Sequence, residues 1–178
     1  MSKVQQFRTK SSKEYFFGFG ADQEVDMIAA IIGRQPRIVG VAVLEGYQLC
    51  IQSLEDITDK RANPRAILER TWGKGFRSYA IRPVLGSKVR GTVFEVTKAE
   101  RLLIDAWELV PEGWQDSAEV TVVGEDGHVY KAYTQVLAKG QREGDTVNGM
   151  MYRSWLMPKE DFVRIAPQAI QQAGLSCG

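Results

Sequence analysis

A chain of 178 residues, 44% hydrophobic and 25% charged, has the length and composition of one globular domain rather than of a disordered protein. Its 23 lysines and arginines nearly balance 22 aspartates and glutamates, which argues against a dedicated nucleic-acid binder or a basic membrane anchor. Two cysteines, Cys50 and Cys177, and the lack of an apolar leader predict a cytoplasmic protein without disulfides.

The charges are unevenly distributed along the chain. Basic residues dominate from residue 60 to residue 90, and acidic residues dominate from residue 100 to residue 126. Two interpretations stay open. The two stretches are complementary solvated faces of one fold, or the basic stretch forms a cationic mouth that attracts an acidic small molecule.

The first predicted elements are a strand, a glycine turn and a helix. Aromatic residues from Tyr15 form the strand, which runs into the turn at residues 18–20. Asp22 follows in a position to cap the helix, because its carboxylate can accept free N–H groups of the first helical turn. Apolar residues at helical spacing continue to Gly33, a helix-stop residue.

A long strand is predicted over residues 38–51, and its glycines Gly40 and Gly46 indicate a bulge or a close backbone approach. Asn63 and Pro64 then indicate the start of a short helix. Two further strands are predicted on either side of a turn at residues 85–87.

The next helix is predicted from a capping box, in which Thr97 and Glu100 satisfy each other's backbone donors. It covers residues 98–107. A hairpin is predicted after it, with its turn at residues 124–127.

These elements predict an α+β fold, a small mixed β-barrel with flanking helices, because consecutive strands and few helices do not make a doubly wound parallel sheet. The expected organisation is a flexible N-terminus (residues 1–14) followed by a main domain (15–138). A linker (139–149) and a C-terminal appendage packed on the core (150–178) come after it.

The residue inventory leaves carboxylate chemistry as the main catalytic option. His128 is the only histidine, which disfavours a serine–histidine–acid triad and a zinc site. Neither a phosphate loop nor a dinucleotide fingerprint is present in the sequence.

Glu108 is the carboxylate with the most unusual sequence setting. It stands at the carboxyl end of the capped helix, where the helix dipole opposes a negative charge, and among apolar neighbours. Both effects raise a carboxyl pKa, which suits a general acid/base. The alternative is an exposed glutamate at a helix end.

The order of several motifs resembles the γ-glutamylcyclotransferase-like family, which includes the avirulence-induced-gene-like proteins. The match covers roughly residues 15–137. The motifs are Phe19-Gly20-Ala21-Asp22, Leu44-Glu45-Gly46-Tyr47-Gln48-Leu49, Tyr79-Ala80-Ile81, Val89-Arg90-Gly91-Thr92-Val93-Phe94-Glu95-Val96, Ile104-Asp105-Ala106-Trp107-Glu108 and the hairpin.

The resemblance implies an enzyme that cyclises a γ-glutamyl amine or related amide to 5-oxoproline without a metal or organic cofactor. It implies Glu108 as the catalytic acid/base and Tyr133 as a substrate-binding residue. It also implies a turn that holds the glutamyl group largely through backbone groups, formed by Phe19, Gly20, Ala21 and Asp22.

This sequence departs from the family's Tyr-Gly-Ser-Asn turn at three positions, with Phe19, Ala21 and Asp22. Asp22 adds a negative charge where an anionic glutamyl group is expected, unless its side chain caps the helix. A second interpretation therefore remains, that of a catalytically altered small-molecule-binding or regulatory module on the same fold.

Overall fold

The structure, a computed structural model, describes residues 12–172 and 174. Six strands and four α-helices are present in these residues, together with two short 3-10 turns. The strands are β1 (Lys13–Gly18), β2 (Arg37–Ser53), β3 (Arg77–Thr97), β4 (Gln115–Gly124), β5 (Val129–Leu137) and β6 (Asp145–Val147). The helices are α1 (Val25–Ile32), α2 (Pro64–Trp72), α3 (Lys98–Trp107) and α4 (Lys159–Gln172).

Five of the strands close into a barrel. They follow the order β3-β1-β5-β4-β2, and β2 pairs again with β3 to complete the circle. The β1–β5 pairing is parallel and the other pairings of the barrel are antiparallel. The predicted small mixed barrel with flanking helices is confirmed. The short β6 pairs with β2 beside the barrel.

Adjacent residues of β1 and β3 point to opposite sides of the barrel wall, since side chains alternate along a strand. Phe17 and Val93 belong to the hydrophobic cluster inside the barrel. Their neighbours Phe16 and Phe94 belong to an outer cluster against which α1, α3 and α4 pack. Phe16, Phe17 and Phe94 have no exposed surface, so both sides of the wall are dry.

The longest pairing joins β2 and β3, and it corrects one prediction. The register shifts after Ile38 and after Glu45 confirm the bulges expected at Gly40 and Gly46. The two strands predicted on either side of residues 85–87 form one strand, β3, which bulges there, since residues 84–87 have no partner on β2. Pairing with β2 resumes on both sides of this bulge, at Pro83 and at Lys88.

Helix boundaries follow the predicted stop and start signals except at α1. The capping box of Thr97 and Glu100 is confirmed, and Gly33 ends α1 in the left-handed conformation. Asp22, however, does not cap α1. A 3-10 turn, Gly20–Gln23, separates β1 from α1, so Glu24 takes the N-cap position and Asp22 is buried.

The C-terminal part of the described chain contributes to the core. Residues 145–147, inside the segment expected to be a linker, form β6. Phe162, Ala166 and Ile170 of α4 are buried in the outer cluster. Of the expected flexible N-terminus, residues 1–11 lie outside the described residues, and so does Cys177 near the other end.

Within residues 12–172 and 174, no helix combines the length and the apolar character that crossing a membrane requires.

Gly18 is the position where the fold depends most directly on the lack of a side chain. A Cβ atom at residue 18 would lie 2.0 Å from the Asp22 carbonyl oxygen. We expect Gly18→Ala to lower the free energy of unfolding by about 1–3 kcal/mol, as overpacking does, because backbone must move. Chemical denaturation measures this change.

Gly75→Ala is the matched control, since a Cβ at residue 75 meets no atom within 4 Å. Equal stability of the two variants would contradict the close approach of the turn to Gly18.

Candidate active site

One cavity of about 540 Å³ lies between the 3-10 turn after β1, helix α2, the end of α3 and helix α4. Its volume is in the range of small-molecule pockets, about 300–1,000 Å³. All four residues of the predicted turn line it, Phe19, Gly20, Ala21 and Asp22, and so does Glu108. The structure therefore brings these five predicted residues to one place.

Local structure explains how the turn and Glu108 meet. Strand β1 ends at Gly18, and the tight approach of Asp22 to Gly18 folds the 3-10 turn back over the barrel rim. Gly20 has a φ of 60°, and a Cβ there would lie 3.0 Å from the Tyr79 ring. Helix α3 ends beside this turn, with Glu108 as its C-cap.

The carboxyl groups of Asp22 and Glu108 form a hydrogen bond with each other. Burial raises the pKa of Asp22 to about 6. Burial also raises the pKa of Glu108 well above its ordinary value, and the negative charge and hydrogen bond of Asp22 raise it further. Asp105 adds a smaller repulsion.

Two carboxyl groups in contact cannot both carry a charge at low cost. Between the two titrations the pair holds one proton and one negative charge. This form can accept one proton and donate another, which is what acid–base catalysis on an amide requires.

The expected elevation of the Glu108 pKa is present, with burial as its largest cause. The partner that adds to it, Asp22, was expected in the substrate-binding turn or as a helix cap, and not as a partner of Glu108. The departure from the family's turn, an aspartate in place of asparagine, was the signal for this pair.

The backbone donors of the turn are largely occupied by the protein itself. The Gly20 N–H donates to the Tyr152 hydroxyl at 3.0 Å, and the Asp22 N–H donates to the Phe19 carbonyl at 3.2 Å. Tyr152 in turn donates to the Arg90 carbonyl at 2.8 Å. The Gly20 and Asp22 N–H groups are therefore not free to hold a ligand in this conformation.

Tyr133 does not line the cavity, contrary to the prediction. In β5 its neighbours Ala132 and Thr134 are fully buried, so strand alternation turns Tyr133 to the outside of the barrel. There the guanidinium of Arg101 lies 4.0 Å from the centre of its ring.

Two other tyrosines contact the turn, and one of them, Tyr79, lies on the cavity wall where Tyr133 was expected. Tyr79 of β3 lines the cavity against Gly20. Tyr152 packs edge-on against Tyr79, with ring centres 5.0 Å apart. Tyr79 belongs to one of the quoted motifs, whereas Tyr152 lies in the segment expected to be an appendage and carried no sequence signal.

Aromatic side chains form much of the cavity wall. Trp72 packs against Phe76, Trp107 and Phe162, with ring centres 4.6–6.2 Å apart. Phe76 packs in turn against Trp114. Such a wall excludes water and strengthens the electrostatic interactions at the carboxyl pair.

Charged residues also face the cavity. Arg70 and Arg77, both exposed, line it, as does a third acid, Glu112. One carboxylate oxygen of Glu112 is buried without a hydrogen-bond partner among the described residues. Part of the basic stretch thus borders the cavity, while another part pairs with acids, for example Arg90 with Glu125 at 3.2 Å.

In the described part of the chain, no group of three histidine, cysteine, aspartate or glutamate residues is arranged to hold a metal ion. His128 is exposed beside its hairpin turn and pairs with Asp126 at 2.8 Å. Cys50 is buried, and its thiol donates to the Ala80 carbonyl at 3.4 Å.

Solved structures with the same architecture include a γ-glutamyl cyclotransferase, with a TM-score of 0.59 and 16% identity over 92% of this chain and 82% of the other. An uncharacterised human protein matches with a TM-score of 0.56 and 18% identity over 75% and 70% of the two chains. YkqA from Bacillus subtilis matches with a TM-score of 0.53 and 16% identity over 90% of this chain and 49% of the other.

The chain has the γ-glutamylcyclotransferase-like fold. The resemblance drawn from the sequence motifs is confirmed at the level of the fold. No protein-family model and no curated protein matches the sequence, and identities of 16–18% carry no statement about the reaction.

Within the γ-glutamylcyclotransferase-like fold, burial of the carboxyl pair sets a pH dependence of stability. A raised folded-state pKa means that the folded protein binds the proton more tightly than the unfolded chain. The contribution of Asp22 to stability therefore falls as pH rises from its ordinary pKa of 3.8 through about 6. Asp22→Asn removes this loss.

We expect Asp22→Asn to be more stable than the wild type at pH 7 by on the order of 1–3 kcal/mol, and the two proteins to converge toward about pH 4. Urea unfolding across this pH range measures the difference. Glu119→Gln, which removes an exposed acid from β4, is the control. A stability difference that does not change with pH would contradict the burial of a charged Asp22.

Proposed function

We propose that the protein is a γ-glutamylcyclotransferase-like enzyme that cyclises a γ-glutamyl amine or a related amide to 5-oxoproline and releases the amine. Glu108 is the general acid/base, and it works as a pair with Asp22. The observation that carries the proposal is the hydrogen bond between these two carboxyl groups in a cavity lined by the turn.

The reaction needs no nucleophile from the protein, because the α-amine of the substrate attacks its own γ-carbonyl carbon. That amine is an ammonium ion at neutral pH and must first lose a proton. The carboxyl pair, which carries one negative charge, takes this proton. The new C–N bond closes the five-membered ring.

The bond between the γ-carbonyl carbon and the leaving nitrogen then breaks, and the pair donates a proton to that nitrogen. Two protons leave the attacking nitrogen in the whole reaction. Both end on the released amine, which departs as an ammonium ion, so the carboxyl pair returns to its starting state.

The cavity supports this chemistry in two further ways. Holding amine and carbonyl in ring-closing geometry supplies much of the rate of an intramolecular reaction. The aromatic wall around Trp72 and Phe76 is suited to an apolar amine half. A dry wall also strengthens the attraction between the substrate ammonium and the charge of the pair.

A second candidate is a binding or regulatory module that keeps the cavity without the reaction. Two observations favour it. The Gly20 N–H is bonded to Tyr152, and Asp22 places a negative charge where an anionic glutamyl group would lie. A wild-type protein that binds γ-glutamyl compounds without turning them over would support this candidate.

We expect Glu108→Gln to lower the rate of 5-oxoproline release from γ-glutamyl amines by about 100- to 10,000-fold, the range for loss of a general acid/base. Glutamine keeps the shape and hydrogen bonding but cannot take the ammonium proton. Product release is measured by chromatography on variants whose folding is matched by circular dichroism.

Glu119→Gln, on the exposed face of β4, should retain wild-type activity. Full activity in a folded Glu108→Gln protein would refute the mechanism. Absence of turnover by the wild type across a panel of γ-glutamyl amines and dipeptides would reject the enzyme in favour of the binding module.

Asp22→Asn tests whether the two carboxyl groups act as a pair. The charge and the hydrogen bond of Asp22 both raise the pKa of Glu108, so their removal lowers it. In the wild type the alkaline limb of the kcat–pH profile is where the pair loses its last proton, so this limb should lie at lower pH in Asp22→Asn. An unchanged profile would show that Glu108 titrates independently of Asp22.

A further inference from the structure

We propose that Arg77 binds the α-carboxylate of the substrate and thereby restricts the site to amides that carry an intact amino-acid head group. This inference rests on the proposed function and assigns the specificity of the same cavity. It follows from three observations on the turn, on the acids of the cavity and on the position of Arg77.

The first observation is that the turn lacks free donors at two positions. A carboxylate is commonly held by backbone N–H groups at such a turn. Here the Gly20 N–H donates to Tyr152 and the Asp22 N–H donates to the Phe19 carbonyl. A substrate carboxylate at the turn therefore finds neither of these two N–H groups free, and a partner on another part of the cavity wall can hold it instead.

The second observation is that acids dominate the inner part of the cavity. Asp22 is almost fully buried, and Glu108 and Glu112 line the same space. Their charges attract the substrate ammonium and repel its α-carboxylate, which is attached to the same carbon atom. Binding the whole head group is favoured by a cation on the wall of the same cavity.

The third observation is that Arg77 is placed to be this cation. It lies two residues before Tyr79 on β3, so both side chains leave the same face of the strand about 7 Å apart. Tyr79 packs against Gly20, and the charges of Arg153 and, more weakly, Arg77 act on the Tyr79 hydroxyl. Arg77 thus lines the cavity next to the turn.

Arg77 is also available for a ligand. It forms no salt bridge with any acid among the residues that the structure describes, whereas Arg34, Arg82 and Arg101 do. A guanidinium presents two parallel N–H donors that match a carboxylate. Arg70, the other arginine of the cavity, belongs to the last turn of α2 and not to the strand that carries Tyr79.

The test compares two substrates that differ only in the α-carboxylate, γ-glutamyl anilide and 4-aminobutanoyl anilide. Both cyclise by the same chemistry and both release aniline, so one assay serves for both. Arg77→Gln should lower kcat/KM for γ-glutamyl anilide about 10- to 100-fold, as loss of a charge-assisted hydrogen bond does. Its kcat/KM for 4-aminobutanoyl anilide should stay at the wild-type value.

Arg65→Gln is the matched control, because Arg65 is exposed on α2 and does not line the cavity. The Arg65→Gln variant should keep the wild-type kcat/KM for both substrates. Equal losses on both substrates in Arg77→Gln would overturn the assignment. A selective loss in Arg70→Gln instead would also overturn it, by assigning the carboxylate to the other arginine.

Binding of the two ring products, 5-oxoproline and 2-pyrrolidinone, gives a readout that does not depend on turnover. Measured by calorimetry, Arg77→Gln should weaken the binding of 5-oxoproline about 10- to 100-fold and leave the affinity for 2-pyrrolidinone unchanged. If the wild type releases no aniline yet shows this pattern, the proposed reaction fails and the carboxylate site stands. If it releases aniline without the pattern, only the carboxylate site fails.

Discussion

The hydrogen bond between Asp22 and Glu108 is the interaction on which the rest of this site depends. Two buried carboxyl groups in contact are unfavourable unless they hold a proton between them. The fold keeps them together because the 3-10 turn is fixed by the close approach of Asp22 to Gly18, and because Glu108 is fixed at the end of α3. The backbone around each acid thus sets the proton affinity of the pair.

The barrel provides the rigidity that such a pair needs. Buried aromatic side chains on both sides of its wall, Phe16, Phe17 and Phe94 among them, leave little room for the turn or the helix to shift. Raised pKa values make the carboxyl pair a cost to stability at neutral pH. Groups retained at such a cost concentrate at functional sites, which is a physical argument for function at this cavity.

The C-terminal part of the described chain completes the cavity instead of only covering the core. The Arg90 N–H donates to the Gly149 carbonyl at 2.7 Å, and the Arg90 carbonyl accepts from Tyr152. These two hydrogen bonds hold residues 149–152 against β3 beside the turn. Tyr152 then occupies the Gly20 donor, and Phe162 of α4 adds to the aromatic wall. With the Gly20 and Asp22 donors engaged, the arginines beside the cavity are further partners for an anion.

The sequence by itself determined the features that rest on local patterns. The capping box at Thr97, the stop at Gly33 and the bulges at Gly40 and Gly46 follow from the conformational needs of single residues and their near neighbours. The mixed barrel followed from the order and kind of the elements. The apolar neighbours of Glu108 and its place at a helix end indicated the direction of its pKa shift, although the burial and the Asp22 charge that cause the shift are tertiary.

Only the tertiary structure decided which residues meet. Asp22 faces Glu108 rather than the helix it precedes, because a 3-10 turn intervenes between β1 and α1. Tyr133 faces outward and Tyr79 inward, because strand register, fixed by pairing across the barrel, sets the side on which each residue falls. Pairing with β2 on both sides of residues 84–87 also makes one bulged strand of the two that were predicted. Such contacts join residues far apart in the chain, and their energies depend on burial that no local pattern contains.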